Sequence, residues 1–281
     1  MDTIIQILAR ELGRSEAHVE NVVRLIDEGN TIPFIARYRK ELHGAMDDTA
    51  LRTLADRLQY LRNLDKRREE VKSAIEGQGK LTEELSAAID AAATLAEVED
   101  LYRPYKQKRR TRATVAREKG LEPLAELLFA QAADGPAPEE AAGAFIDPEK
   151  GVETAEDALQ GASDIIAERI SDDADIRKRL RELVWKKGSL VSAAAAKEPE
   201  DTVYRLYYAF RSPLNRVQGH QVLAINRGER EGVLKVSVEM DREAALIPVR
   251  RAVLNPGAPA MAFVRAAAED AYDRLIFPSV E

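Results

Sequence analysis

The chain has 281 residues, of which 45% are hydrophobic and 32% are charged, and its formal net charge is -7. This length suffices for two ordinary domains, and the negative charge argues against binding of polyanions over the whole surface. The lack of cysteine excludes disulfides, thiolate metal sites and cysteine nucleophiles.

The N-terminal residues and the hydropathy pattern indicate where in the cell the protein is expected. The first ten residues lack the basic segment and apolar core of a signal peptide. No run approaches the roughly 18 consecutive apolar residues that a membrane span needs. We therefore expect a soluble protein of the reducing cytoplasm, without membrane contact.

The chain begins with short helices, which its abundant Ala, Leu, Glu and Arg favour. Apolar residues recur at helical spacing up to Gly13, and a second helical run follows Ser15, a residue suited to capping. The two runs predict a start that resembles a helix-turn-helix. A third helix is expected to begin at Thr31, with Pro33 in its first turn, and to stop near Gly44.

The pattern up to Gly188 is also helical. A long helix is predicted between Asp47 and Gly77, with leucines along one face. Further helices are predicted at 82–92, 95–102, 122–133, 139–145, 154–170 and 173–187, the last ended by Gly188.

Beyond Gly188 the pattern changes. Gly232–Met240 alternates apolar and polar residues, many of them β-branched, which predicts a strand, and residues 189–195 alternate loosely. Tyrosines at helical spacing lie at 202–210, and a helical pattern at 259–276 is expected to stop at Pro278. Residues 220–227 are compatible with a helix or a strand, and we favour a helix. The fold class is therefore mainly α, a multi-helix N-terminal region with a small β element in the C-terminal third. We expect a helical domain at 1–188 and a mixed α/β domain at 189–281.

The sequence contains no complete motif for binding a nucleotide or a metal ion. Gly77–Lys80 hints at a phosphate-binding loop, but two motif positions carry the wrong residue types, so a turn between helices is expected. Asp172, Asp173 and Asp175 lack the Gly and Glu of a calcium loop, which favours helix capping.

Histidines and serines also show no catalytic pattern. His18, His43 and His220 are scattered without metal-ligand spacing, so capping or surface positions are expected. The sequence contains no Gly-x-Ser-x-Gly elbow. We expect no enzyme activity, no metal and no other cofactor.

The strongest local signal is a basic segment between Asp100 and Gly120 in an otherwise acidic chain. Six of its cations are the predicted nucleic-acid-binding residues: Arg103, Lys106, Lys108, Arg109, Arg110 and Arg112. Pro104 breaks the preceding helix, so these side chains are expected on an extended loop that reaches a phosphate backbone, with Tyr102 and Tyr105 as stacking partners. The alternative is a loop that ties acidic helices together through ion pairs.

Other basic or aromatic clusters give weaker signals. The cations within 62–72 and within 177–187 are expected to decorate solvated helix faces. The aromatic residues at 204, 207, 208 and 210 suit base stacking, but their helical spacing and the few cations nearby favour a core or interface role.

Four phrases, in this order along the chain, are similar to the Tex family. They are Thr31–Glu41 (TIPFIARYRKE), Asp100–Ala125 (with DLYRPYK and AREKGLEPLA), Gly161–Ile170 (GASDIIAERI) and His220–Leu234 (HQVLAINRGEREGVL). The resemblance spans essentially the whole chain and is much more specific than any single motif.

The resemblance implies a role in transcription. Tex proteins resemble the core of a eukaryotic elongation factor that is also a histone chaperone. After the helical region, longer members carry an RNase H-like domain, helix-hairpin-helix repeats and an oligonucleotide-binding domain of ribosomal-protein type. The chain ends at Phe277–Glu281, near where the RNase H-like domain would begin, so we expect a fragment that binds nucleic acid weakly.

Two functions stay open. The first is a non-enzymatic accessory module that binds RNA or DNA backbone without sequence readout. The second is a protein-interaction scaffold that positions the later domains on RNA polymerase or the ribosome. Hydrolysis of nucleic acid ranks last, because only the RNase H-like neighbour supports it.

Overall fold

The computed structural model describes residues 3–107, 109–197 and 201–280. The chain folds as two compact units, Met1–Tyr105 and Lys106–Glu281. The predicted change from helices to strands near Gly188 lies inside the second unit, and as a domain boundary it stays a prediction. The predicted class is confirmed, since the described residues are mainly helical with a small sheet in the C-terminal third.

The first unit is helical. Its helices are α1 (Ile4–Leu12), α2 (Glu16–Asp27), α3 (Ile32–Tyr38), α4 (Asp48–Glu76), α5 (Glu83–Ala91) and α6 (Leu95–Tyr102), followed by a 3-10 turn at Arg103–Tyr105. Gly13 ends α1 in the left-handed region at φ 62°, and the Ser15 hydroxyl caps α2. The predicted helix-turn pair is therefore present, and its use in binding DNA stays a prediction.

Helix α4 organises the first unit. Its Leu51–Leu61 stretch packs in one core cluster with α1, α2 and α3, and its Leu64–Ile75 stretch packs in a second cluster with α5 and α6. The expectation that the third helix reaches Gly44 is wrong, because α3 ends at Tyr38 and the chain turns back. Gly44 allows this turn through its φ of 59°, directly beside the His18 ring.

The second unit surrounds one buried helix. Its helices are α7 (Arg112–Glu118), α8 (Glu122–Ala130), α9 (Pro138–Gly143), α10 (Ala155–Ser171), α11 (Ala174–Lys187), α12 (Gly219–Arg230), α13 (Arg242–Val253), α14 (Met261–Asp270) and α15 (Phe277–Val280). Helix α10 contacts α7, α8, α9 and α14, and most of its side chains are buried. A Thr154–Asp157 capping box begins α10, as its sequence indicates.

A three-stranded antiparallel sheet lies in the C-terminal third of the chain. Its strands are β1 (Ser189–Ala194), β2 (Ala209–Pro213) and β3 (Leu234–Glu239), in the order β2-β1-β3. The predicted strand at 232–240 and the helix at 220–227 are confirmed as β3 and α12. The helical expectation for 202–210 is wrong, because Arg205–Tyr207 is only a 3-10 turn and the chain then pairs with β1.

The C-terminal helix continues past Pro278, contrary to expectation. A π-helical turn at Ala271–Ile276 joins α14 to α15. Its wider hydrogen bonding accommodates a proline that cannot donate the usual helical bond. Helix α13 has no counterpart in the sequence analysis, since it carries Pro248 in its interior.

Candidate nucleic-acid interface

The predicted basic segment is partly turn and partly helix. Arg103 lies in the 3-10 turn that ends the first unit, and Lys106 begins the second unit. The Thr111 hydroxyl accepts from the Thr114 backbone N–H and thereby caps α7. The expected extended loop is therefore wrong beyond Thr111, because Arg112 lies in the first turn of a helix. We refer to residues 106–112 as the cationic loop.

The four described cations of the cationic loop face solvent. Lys106, Arg109, Arg110 and Arg112 are exposed, and the predicted contact Lys108 lies outside the described residues. Within the described chain, the guanidinium groups of Arg109 and Arg112 have no hydrogen-bond or ion-pair partner. Such cations keep their full capacity to bind a phosphate.

Arg110 forms a surface ion pair with Glu118. Its Nη2 lies 2.8 Å from Glu118 Oε2, and the two side chains are 71% and 53% exposed. Ion pairs this exposed contribute about 0–1 kcal/mol. A phosphate can therefore displace Glu118 at little cost.

Arg117 and Thr111 anchor α7 to α10. Arg117 Nη1 donates to Glu168 Oε2 at 2.7 Å, and the Thr111 hydroxyl donates to Glu168 Oε1 at 3.0 Å. Burial opposes the charge on Arg117, but its hydrogen bonds to Glu168 and Glu122 outweigh that effect and raise its pKa. Arg117 is thus structural, whereas Arg109 and Arg112 are available.

Helices α7 and α10 also border a cavity of about 260 Å³. Arg112 of α7 and Lys119, which follows α7, line it on one side, and Asp157, Gln160 and Asp164 line it from α10. Its apolar lining includes Val115, Ala116 and Leu121. Neither the cavity nor its acidic lining is evident from the sequence, because α7 and α10 are separated by two other helices.

The helices approach closely because α10 has a glycine at the crossing. A Cβ added to Gly161 would lie 2.3 Å from Leu121 Cδ1 and 3.2 Å from Ala116 Cβ. Gly161 is therefore required by packing, which explains one position of the GASDIIAERI phrase.

The basic cluster at 62–72 is solvated only in part, since Lys66 is exposed but its neighbours pair with other helices. Arg62 pairs with Asp27 at 2.7 Å, Arg67 with Glu99 at 2.6 Å, and Lys72 with Asp90 at 2.8 Å. These pairs join α4 to α2, α6 and the C-terminal end of α5. The expectation of a solvated face therefore holds for Lys66 but not for Arg67 and Lys72, because acidic side chains of neighbouring helices lie within reach of α4.

The cluster at 177–187 divides into two parts. Arg177 is buried and donates to the Ser171 carbonyl at 3.2 Å and to Ser279 Oγ at 2.7 Å. Arg179, Lys186 and Lys187 are exposed, as expected. This second group is a solvated surface of the same unit as the cationic loop.

The other singled-out residues have structural roles. Tyr204 is buried and donates to Glu231 at 2.9 Å, so it offers no free stacking face. Asp173 accepts from the Ile176 N–H at 2.8 Å and caps α11, which confirms the capping interpretation. Residues 77–79 form the expected turn between α4 and α5.

The histidines fit their expected surface positions only in part. His220 is exposed and His18 is half-buried, but His43 is 1% exposed, so the surface expectation is wrong for His43. Its sequence neighbourhood explains the burial, since Leu42 and Met46 both pack on the first core cluster.

The described ranges show neither a metal-binding cluster nor a membrane-spanning helix. No group of three or more His, Cys, Asp or Glu side chains there is placed to hold a metal ion. No helix in those ranges has the length and apolar character that crossing a membrane requires.

Comparison with known proteins identifies two matched regions. Residues 2–76 match the Tex-like protein N-terminal domain, and residues 134–280 match the Tex central region-like family. The second match alone covers more than half of the chain.

Relatives with similar sequences support the same grouping. The chain is 47% identical over 244 residues to Protein tex of Bordetella pertussis, covering 86% of the chain and 31% of that protein. It is 41% identical over 237 residues to Transcriptional accessory protein Tex of Neisseria gonorrhoeae, covering 84% of the chain and 31% of that protein. With the human S1 RNA-binding domain-containing protein 1 it shares 31% identity over 291 residues, covering 98% of the chain and 29% of that protein. The chain thus spans about a third of the length of these relatives.

Proposed function

The chain belongs to the Tex family, and we propose that it is a non-enzymatic transcription accessory module that binds RNA or DNA backbone through the cationic loop. The observation that carries this proposal is the exposure of Arg109 and Arg112 without partners in the described chain. The names of relatives, a transcriptional accessory protein and an S1 RNA-binding domain protein, agree with it.

The proposed contact reads no sequence. Exposed cations bind phosphate oxygens, which carry no sequence information. Specific readout needs side chains held against base edges in a groove, and the cationic loop presents no helix of groove-filling length. We therefore propose a backbone contact at which RNA and DNA compete.

The anchoring of α7 supports a defined contact. Glu168 holds Thr111 and Arg117, so Arg112 projects from a fixed helix. Fewer degrees of freedom are then lost when a phosphate binds. Arg103 belongs to the first unit, and its contribution stays a prediction.

Binding to labelled RNA and DNA tests the function. Fluorescence anisotropy of a single-stranded RNA and a duplex DNA is measured against the chain between about 50 and 200 mM salt. If Arg109, Arg110 and Arg112 each contact one phosphate, the logarithm of the binding constant should fall with the logarithm of the salt concentration at a slope of about -2 for the single strand. Absence of binding to both ligands at the lowest salt would refute the proposal.

A second candidate function is a protein-interaction scaffold in a cytoplasmic transcription or translation complex. The ion pairs of α4 favour it for the first unit, because they use cations that would otherwise attract nucleic acid. In this function the helices position later domains on RNA polymerase or the ribosome. Co-sedimentation of the chain with purified polymerase and ribosomes tests it, and recovery with neither would contradict it.

A further inference from the structure

The cavity between α7 and α10 lies beside the cationic loop, since Arg112 belongs to both. We propose that this cavity binds one unstacked base of a single-stranded nucleic acid, with preference for bases that carry an exocyclic amino group. The inference rests on the proposed function, because the strand reaches the cavity through its phosphate contact with Arg112.

The size and walls of the cavity suit a base. Its volume of about 260 Å³ accommodates one planar heterocycle. Val115, Ala116 and Leu121 supply apolar contact for the faces of the ring. Unstacked bases of single strands are commonly held this way, with apolar contact on a face and hydrogen bonds on an edge.

The polar side of the cavity is rich in acceptors. Asp157, Gln160 and Asp164 follow one another along one face of α10. Asp164 is 7% exposed and held by Arg274 at 3.1 Å, so its carboxylate is fixed in place. Backbone N–H donation from Thr154 is the main cause that lowers the pKa of Asp157, so the fold favours the charged form of this carboxylate.

This lining distinguishes cytosine from uracil. A carboxylate accepts from the N4 amino group of cytosine. Uracil has a carbonyl oxygen at the same position, which faces a carboxylate unfavourably. Adenine and guanine also carry amino groups, so the recognised class is amino-bearing bases.

The two cations that line the cavity, Lys119 and Arg112, have different roles. Lys119 Nζ donates to the Gly151 carbonyl at 2.7 Å and holds the loop before α10. Arg112 has no partner in the described chain. The phosphate that precedes or follows the bound base therefore binds Arg112, and the base enters the cavity.

The test compares oligonucleotides with the same backbone. Anisotropy is measured at neutral pH and low salt with oligocytidylate, oligouridylate and an abasic ribose-phosphate oligomer, each of about 12 nucleotides. The proposal predicts that oligocytidylate binds at least about fivefold more tightly than oligouridylate. This ratio corresponds to the lower limit of the discrimination that a hydrogen bond to a base edge provides. The abasic oligomer binds most weakly.

Two variants assign the preference to the cavity. Asp157→Asn removes a lining carboxylate while its amide oxygen can still accept the capping N–H groups, and it should bring the cytosine-to-uracil ratio close to one. Glu156→Gln removes the same charge from the same helical turn outside the cavity lining, and it should leave the ratio unchanged. Circular dichroism of both variants checks the fold.

The remaining outcomes separate the two proposals. Equal binding of all three oligomers to the wild type overturns the base site and leaves backbone binding intact. A cytosine preference that Asp157→Asn does not alter overturns the assignment to this cavity. If none of the oligomers binds, the proposed function fails, and the base site fails with it.

Discussion

Arg117 and Glu168 form an ion pair at 2.7 Å that joins the last turn of α7 to α10. Glu168 also accepts from Thr111, the residue that caps α7, so one carboxylate holds both ends of that helix. Arg117 and Glu168 are 51 residues apart in the chain and belong to two different phrases of the family resemblance. Their contact therefore joins the helix that follows the cationic loop to the GASDIIAERI phrase.

Glu168→Gln should loosen α7. The variant weakens two charge-assisted hydrogen bonds to a largely buried carboxylate, which costs about 1–3 kcal/mol of unfolding free energy. The cationic loop should then be cut by trypsin more rapidly than in the wild type. Thermal denaturation and mass spectrometry of the tryptic fragments measure both effects.

A matched control for Glu168→Gln is Glu126→Gln. Glu126 pairs with Arg169 of α10, but their side chains are 60% and 49% exposed, so this change should alter stability by less than about 1 kcal/mol. Equal effects of the two changes would show that Glu168 is no anchor.

Gly161→Ala should destabilise the second unit. The added methyl would meet Leu121 and Ala116 in a buried crossing, and overpacking costs about 1–3 kcal/mol. This exceeds the gain of up to about 1 kcal/mol that alanine has over glycine within a helix. Urea denaturation measures the net loss.

Gly143→Ala is the control for the glycine change. Gly143 is the last residue of α9, and no atom lies within 4 Å of its added Cβ. This substitution should leave stability unchanged or raise it slightly. A stabilised Gly161→Ala variant would contradict the packing argument for that position.

Acid should weaken the first unit through two ion pairs of α4. Hydrogen bonds from Arg57 and Arg62 lower the pKa values of Glu11 and Asp27 below their ordinary values of 4.5 and 3.8. A carboxylate with a depressed folded-state pKa adds stability above its unfolded pKa and loses it as the pH falls through the folded pKa. The wild type should therefore lose stability progressively below about pH 4.5.

The double variant Arg57→Met, Arg62→Met isolates this effect. Each pair is partly exposed and contributes about 0–1 kcal/mol, so the variant should be less stable at pH 7 and lose less on acidification. Arg52→Met, from an exposed pair within α4, is the control. A variant with an acid profile parallel to that of the wild type would show that these pairs carry no pH dependence.

Local signals predicted most helices correctly. Capping residues such as Ser15, Thr82, Thr154 and Asp173 begin the helices that the sequence indicates, because a cap acts within four residues. Long-range pairing was not predictable in this way. The tyrosine spacing at 202–210 mimics a helix, but pairing with β1 makes residues 209–213 a strand.

The sequence located the cationic loop but not the state of each cation. Arg117 and Arg112 look alike along the chain, yet only Arg117 meets Glu168. The same limit applies to Gln131, whose amide donates to Val253 and accepts from the Asn255 N–H, 124 residues away. Contacts between distant segments determine which polar side chains form internal hydrogen bonds and which stay available to a ligand.

The most direct test of backbone binding compares two triple variants by RNA anisotropy at low salt. One carries Arg109→Glu, Arg110→Glu and Arg112→Glu, and the other carries Arg179→Glu, Lys186→Glu and Lys187→Glu. Both change the net charge equally within the same unit, so long-range repulsion is similar. We predict that the first variant loses RNA binding and its salt dependence, whereas the second retains most of both. Equal loss in both variants, or unchanged binding in the first, would contradict a site at the cationic loop.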